Sequence, residues 1–190
     1  MSVGLYFGSF NPVHNGHLMI ANYILEYSDL RQIWFVVSPQ NPFKEQKNLL
    51  ADYHRLELLR RAIGDSEKYK ISDIEFRMPK PSYTVDTLAY LKEKYPDKKF
   101  SLIIGSDNLK NFGKWKNAEM ILKNHDILVY PRPGFDEKTI LSERTKIVNA
   151  PLIEVSSTFI RQSRKSGKDV RFFMPTEAYR YLEEMHFYEK

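Results

Sequence analysis

The chain has 190 residues, 42% of them hydrophobic, which suits one domain with a sizeable core and is too apolar for a disordered segment. It contains no cysteine, which excludes disulfides and thiolate-based metal or redox sites, and no apolar run approaches the length of a bilayer span. The net charge of +5 favours anionic partners, but the cations are mixed with acids, as in residues 90–99, so a nucleic-acid or membrane partner is not expected.

In chain order, residues 3–7 read as a buried strand, and residues 17–30 as a helix with apolar positions at 18, 20, 21, 24 and 25. Residues 33–37 give a second buried strand. Residues 52–63 give a helix capped by Asp52. Residues 71–76 alternate and read as a third strand. A helix over 84–95 stops at Pro96, and a strand follows over 100–104. Residues 117–123 read as a helix, 127–130 as a strand and 152–155 as a short strand. A helix over 157–165 ends near Gly167, and a last helix over 175–185 carries Pro175 in its first turn. Alternating strands and helices imply an α/β, doubly wound, Rossmann-like and mostly parallel sheet with helices on both faces. The simplest organisation is a single domain over 1–190, its last part (157–190) packing as a C-terminal helical unit. The N-terminus lacks a basic, apolar leader pattern, so a cytoplasmic location is expected.

Ligands of such sheets sit outside the carboxyl ends of the strands. The segments expected there are GSFNPVHNGH (8–17), SPQNPFK (38–44), RMPKPSYT (77–84), GSDNLKNFGKW (105–115) and, after Val155, SSTFIR (156–161). They supply glycine-flanked amides, hydroxyls, cations, histidines and one aromatic plate, the chemistry of phosphate and nucleotide binding. In the first of them Asn15 is expected to cap a helix beginning at Gly16. The free amides there would form an anion site, with His14 and His17 beside it. No carboxylate lies in that stretch, so a metal site is not expected in it. Ser156, Ser157 and Thr158 open another helix, and Arg161 follows one turn later on the same face. Arg161 also belongs to a basic group with Arg164, Lys165, Lys168 and Arg171.

GSFNPVHNGHL and VSSTFIR resemble the two signatures of the nucleotidyltransferase superfamily, G-x-F-(D/N)-P-x-H/T-x-G-H and (I/V)-S-S-T-x-I-R. With NPFK (41–44), HR (54–55), PSYTVDTL (81–88), GSDNLKNFGKW and VRFFMP (170–175), the whole chain is similar to the bacterial nicotinate-nucleotide adenylyltransferases. The resemblance implies adenylyl transfer from ATP to nicotinate mononucleotide, giving deamido-NAD and pyrophosphate by direct attack without a covalent intermediate. It implies His17, His14, Arg161 and Lys44 at the phosphates, Gly8, Ser9 and Phe10 lining the nucleotide site, and Ser156, Ser157 and Thr158 at the β- and γ-phosphates. Gly105, Ser106 and Asp107 would serve the adenosine end. Thr84 would read the pyridine carboxylate and Trp115 would stack on the pyridine ring. Arg55 is expected to support its helix rather than touch substrate. Mg²⁺ is expected as a companion of ATP, with no protein metal ligand.

The alternatives are a sibling transferase acting on nicotinamide mononucleotide or phosphopantetheine, or using CTP, and a non-catalytic nucleotide-binding module. Intact His14, His17 and Arg161 speak against the last. The H-x-G-H of class I aminoacyl-tRNA synthetases is shared, but 190 residues leave no room for a tRNA-reading domain. A P-loop motif is absent. The expected partners are thus small-molecule substrates, with a homo-oligomer left open.

Overall fold

The computed structural model describes residues 1–39, 49–134 and 141–189. Its elements are β1 (Ser2–Gly8), α1 (Asn15–Glu26), β2 (Gln32–Val37), α2 (Asp52–Ile63), β3 (Tyr69–Ser72), α3 (Thr84–Lys94), β4 (Lys99–Gly105), α4 (Leu109–Phe112), α5 (Ala118–Asn124), β5 (Ile127–Tyr130), β6 (Thr145–Ile147), α6 (Ser157–Lys165) and α7 (Thr176–Glu184), with 3-10 turns at Ile74–Arg77, Ser106–Asn108 and Arg171–Phe173.

The strands form one six-stranded sheet in the order β3-β2-β1-β4-β5-β6, and every pairing is parallel. The period of two along each strand divides the core between the faces. Ile33, Phe35 and Val37 of β2 join Ile20, Ile24, Leu58, Leu59, Ile160 and Leu182 on one side. Trp34 and Val36 join Leu88, Leu91, Leu109, Phe112 and Ile121 on the other. Burial on both faces explains why the central strands read as continuous apolar runs. The strand order reverses between β1 and β4, so a crevice opens above their carboxyl ends, at Gly8 and Gly105.

Several boundaries differ from the sequence reading. α1 stops at Glu26 rather than residue 30, where the Ser28 hydroxyl donates to the Ile24 carbonyl (2.6 Å) and competes with the next helical turn. Ala51, not Asp52, caps α2; Asp52 occupies the first helical position, where it pairs with Arg55. β3 is an edge strand that ends at Ser72, and residues 74–77 turn into a 3-10 helix that buries Ile74 and Glu75. Asn117 is the left-handed cap of α5 rather than part of it. The sixth strand is Thr145–Ile147, while residues 152–155 form no strand. That stretch instead packs Ile153 and Val155 against the start of α1.

Candidate functional site

The first signature begins where β1 ends. Gly8 carries no Cβ because the Phe10 ring lies beneath it; a Cβ there would meet Phe10 Cζ at 2.9 Å. Phe10 holds a left-handed φ of 44° and turns its ring into the core against Tyr6, Phe35 and His17. Phe10 can therefore offer the crevice only backbone. The expected Asn15 cap is replaced. His14 is the N-cap residue of α1 with extended backbone, and Asn15 is the first helical residue, its Nδ2 donating to the Phe172 carbonyl at 2.9 Å. An imidazole takes the cap because His17, one turn on, answers it: the His14 N–H donates to His17 Nδ1 at 3.2 Å, and the two rings stack at 3.7 Å. With Nδ1 accepting, a neutral His17 carries its ring proton on Nε2. The His14 ring lies toward the His17 N–H only loosely, and its buried Nδ1 makes no hydrogen bond of normal geometry among the described residues. Burial, and secondarily the charge of Arg132, lower the His14 pKa to about 3, so the ring is neutral at physiological pH.

The second signature docks directly on the first. Gly16 makes this possible: a Cβ would lie 2.7 Å from Val155 Cγ1 and 2.9 Å from Ile153 Cγ2. Ser156 caps α6, its Oγ accepting the Phe159 N–H at 3.2 Å. The Ser157 hydroxyl donates to the Pro12 carbonyl at 2.9 Å. Arg161 spans the junction, with Nη1 on the Asn11 carbonyl (2.7 Å) and Nη2 on Thr158 Oγ1 (3.2 Å). The N-termini of α1 and α6, each a source of amides outside its own helical ladder, thus face one region together with His14, His17 and Arg161.

Beside them, a cavity of about 200 Å³ opens at the crevice, walled by Gly8, Ser9, Thr84, Gly105 and Trp115, with Ser82, Tyr83, Glu75 and Tyr130 among its other lining residues. Trp115 lies over Phe112 with ring centroids 4.9 Å apart. Thr84 is the first residue of α3, and buried Glu75 accepts from Ser82 in the preceding turn (3.0 Å) and from Thr87 within α3 (2.8 Å). Ser106 is buried and its hydroxyl accepts the Arg132 N–H at 2.8 Å, so it shapes the β4 and β5 loops; Asp107 next to it is exposed. Lys44 and the NPFK stretch lie outside the described residues.

Sequence reasoning missed or undervalued two arginines. Arg55 is fully buried and does more than support its helix: it donates to the carbonyls of Ser9 (2.8 Å), Ser38 (2.7 Å) and Leu50 (3.1 Å), clamping the loops after β1 and β2. Arg132 follows β5, donates to Tyr130 OH at 3.0 Å and influences His14. Its only signal was a cation placed straight after a strand's carboxyl end. Within the expected basic group, two members are paired with acids: Arg164 with Glu183 and Glu189, and Arg171 with Asp169.

Two outcomes follow. Gly16→Ala gains up to about 1 kcal/mol of helix propensity but overpacks the junction at a cost of about 1–3 kcal/mol, so urea unfolding is expected to show net destabilisation. His14 has a lowered folded pKa, so on acidification the unfolded chain takes up a proton that the folded chain refuses. Its contribution to stability is full above pH 6.5 and declines as pH falls toward 3. Unfolding free energies measured between pH 7 and pH 4 are expected to fall less steeply for His14→Gln than for the wild type, by up to about 1.4 kcal/mol per pH unit.

Among the described residues, no helix is long and apolar enough to cross a membrane. The cytidylyltransferase-like family model matches residues 5–163. A Flavobacterium johnsoniae protein described as "Probable nicotinate-nucleotide adenylyltransferase" is 51% identical, with all of both chains covered. A Christiangramia forsetii protein of the same description is 51% identical over 98% of each chain. The solved structure of Plasmodium falciparum nicotinic acid mononucleotide adenylyltransferase complexed with NaAD superposes with a TM-score of 0.82 at 21% identity, covering 99% of this chain and 97% of that one, a likeness of fold. With a family model spanning most of its length and relatives aligned from end to end, the chain belongs to the cytidylyltransferase-like family, beside the nicotinate-nucleotide adenylyltransferases within it.

Proposed function

We propose that the protein transfers the adenylyl group of ATP to nicotinate mononucleotide, forming deamido-NAD and pyrophosphate. The observation that carries this reading is the junction of the two signature segments, Gly16 against Val155 and Ser157 and Arg161 against Pro12 and Asn11, next to a cavity walled by Thr84 and Trp115.

In the proposed step an ionised oxygen of the acceptor 5′-phosphate attacks the α-phosphorus of ATP in line. A new P–O bond forms as the bond from the α-phosphorus to the bridging oxygen breaks, and pyrophosphate departs with that electron pair. The attacking oxygen is already anionic, so no general base is required, and no residue need form a covalent intermediate. The chain's work is positioning and charge stabilisation. Neutral His14 and the Nε2–H of His17 donate to phosphate oxygens whose charge grows. The amides of Ser157 and Thr158 and the remaining guanidinium donors of Arg161 hold the leaving pyrophosphate, and Lys44 is assigned to the same charge. Gly8, Ser9, Phe10 and Ser156 contribute backbone or capping contacts, and Gly105, Ser106 and Asp107 the adenosine end. Trp115 stacks on the pyridine ring and the turn at Thr84 receives its carboxylate, which favours nicotinate over nicotinamide. Mg²⁺ accompanying ATP would supply charge neutralisation, resting on the substrate rather than on protein side chains; among the described residues no group of three His, Cys, Asp or Glu is set to hold a metal.

His17→Ala is expected to keep the fold and to lose about a hundredfold to a thousandfold in turnover, the usual cost of one preorganised contact to a developing charge. Deamido-NAD formation from ATP and nicotinate mononucleotide, followed beside circular dichroism, checks this; an equally active variant removes His17 from the mechanism. Trp115→Ala is expected to raise KM for nicotinate mononucleotide by about tenfold, in keeping with about 1–3 kcal/mol for stacking on a base, while KM for ATP stays nearly constant in initial-rate kinetics.

A further inference from the structure

The last residues of the chain leave α7 and return to the loop between β1 and α1. Two of them, His186 and Tyr188, hold φ values of 52° and 64°, a left-handed backbone that non-glycine residues keep only where their surroundings enforce it. Phe187 between them is buried against His54, with ring centroids 4.6 Å apart. Arg164 pairs with Glu183 before the turn and with Glu189 after it, and His186 Nδ1 lies 3.0 Å from Glu189 Oε2. The tail is therefore pinned on both sides of Tyr188.

Its end point is Asn11, inside the first signature and 5% exposed. Tyr188 OH donates to Asn11 Oδ1 at 2.6 Å, and the same oxygen accepts the Leu50 N–H at 3.1 Å. The backbone carbonyl of Asn11 accepts Arg161 Nη1 at 2.7 Å. Asn11 thus ties the first signature to the tail, to the lead into α2 and to α6. Burial drives the Tyr188 hydroxyl well above its ordinary pKa, against the opposing pull of Arg161 and Arg55, so it remains a neutral donor.

We propose that Tyr188 is a positioning residue for adenylyl transfer: the C-terminal segment clamps Asn11 and so holds the phosphate-binding loop and Arg161 in register. This rests on the reading of residues 8–18 and 156–161 as the ATP phosphate site. A hydroxyl that served packing alone would leave ATP kinetics untouched. One that orients Asn11 acts first on the nucleotide end, because the described tail residues do not line the cavity at Thr84 and Trp115 and reach its wall only through the loop that carries Gly8 and Ser9.

Tyr188→Phe keeps the ring and removes only the hydroxyl. KM for ATP is expected to rise about three- to tenfold, in line with the net value of one hydrogen bond, while KM for nicotinate mononucleotide changes by less than about twofold. Hydrogen exchange in a peptide spanning residues 8–18 is expected to quicken. Deletion of residues 188–190 is expected to act in the same direction and more strongly, and serves if the Phe variant folds poorly. Unchanged ATP kinetics, or equal changes in both KM values, overturns the proposal, as does unchanged exchange in 8–18. If the wild type makes no deamido-NAD, the functional reading fails by itself. ATP titration of wild type and Tyr188→Phe, with the exchange measurement, still judges the clamp, and equal ATP affinities overturn it.

Discussion

The site depends on one close approach, the packing of residues 153–155 against Gly16. Without a Cβ at that position the segment leading to α6 lies flush on the first turn of α1. Helix N-termini separated by more than a hundred residues of sequence then face a common volume. The approach explains why the segment is not a strand. Its backbone is committed to crossing from the sheet edge to α1, and β6 is formed earlier, at Thr145–Ile147. It also explains the roles of Ser157 and Arg161, whose contacts to Pro12 and Asn11 fix the orientation of the two signatures.

The electrostatics follow from burial rather than from net charge. His14 is held neutral by its surroundings and by Arg132, and can serve only as a hydrogen-bond donor or acceptor. Arg55 is buried, and burial lowers its pKa against the opposing pull of Asp52. Such a guanidinium is tolerable because backbone carbonyls from several segments take its donors, and removing it would strand those carbonyls. Of the cations in the basic group, Arg164 is spent on two acids of the C-terminal segment. Of that group, Arg161 alone is tied to the first signature by the described hydrogen bonds.

Much of this was legible in the sequence. The central strands announced themselves as apolar runs because both faces of a parallel sheet are buried. The helices 157–165 and 84–95 were readable with their stops near Gly167 and Pro96, and the first signature follows a strand as expected, whereas the second follows residues 152–155, which form no strand. What stayed hidden was set by particular side-chain contacts, some within one turn and some between elements. Thr145–Ile147 has little apolar pattern, since an edge strand of three residues needs only its neighbour's ladder. Asp52 looked like a cap, but its partner Arg55 drew it into the first turn. Asn15 looked like a cap, yet the reciprocal arrangement of His14 and His17 took that place. No local pattern marks Glu75 or Tyr188, because their partners lie on other elements or beyond a turn.

The junction of the two signatures is proposed as the triphosphate site. The most direct test is a crystal structure of the protein with a non-hydrolysable ATP analogue and Mg²⁺. The phosphates are expected between the first turns of α1 and α6, within hydrogen-bond reach of His14, His17 and the amides of Ser157 and Thr158, with the base toward Gly105. A triphosphate bound elsewhere, or one that leaves both helix N-termini untouched, would contradict it.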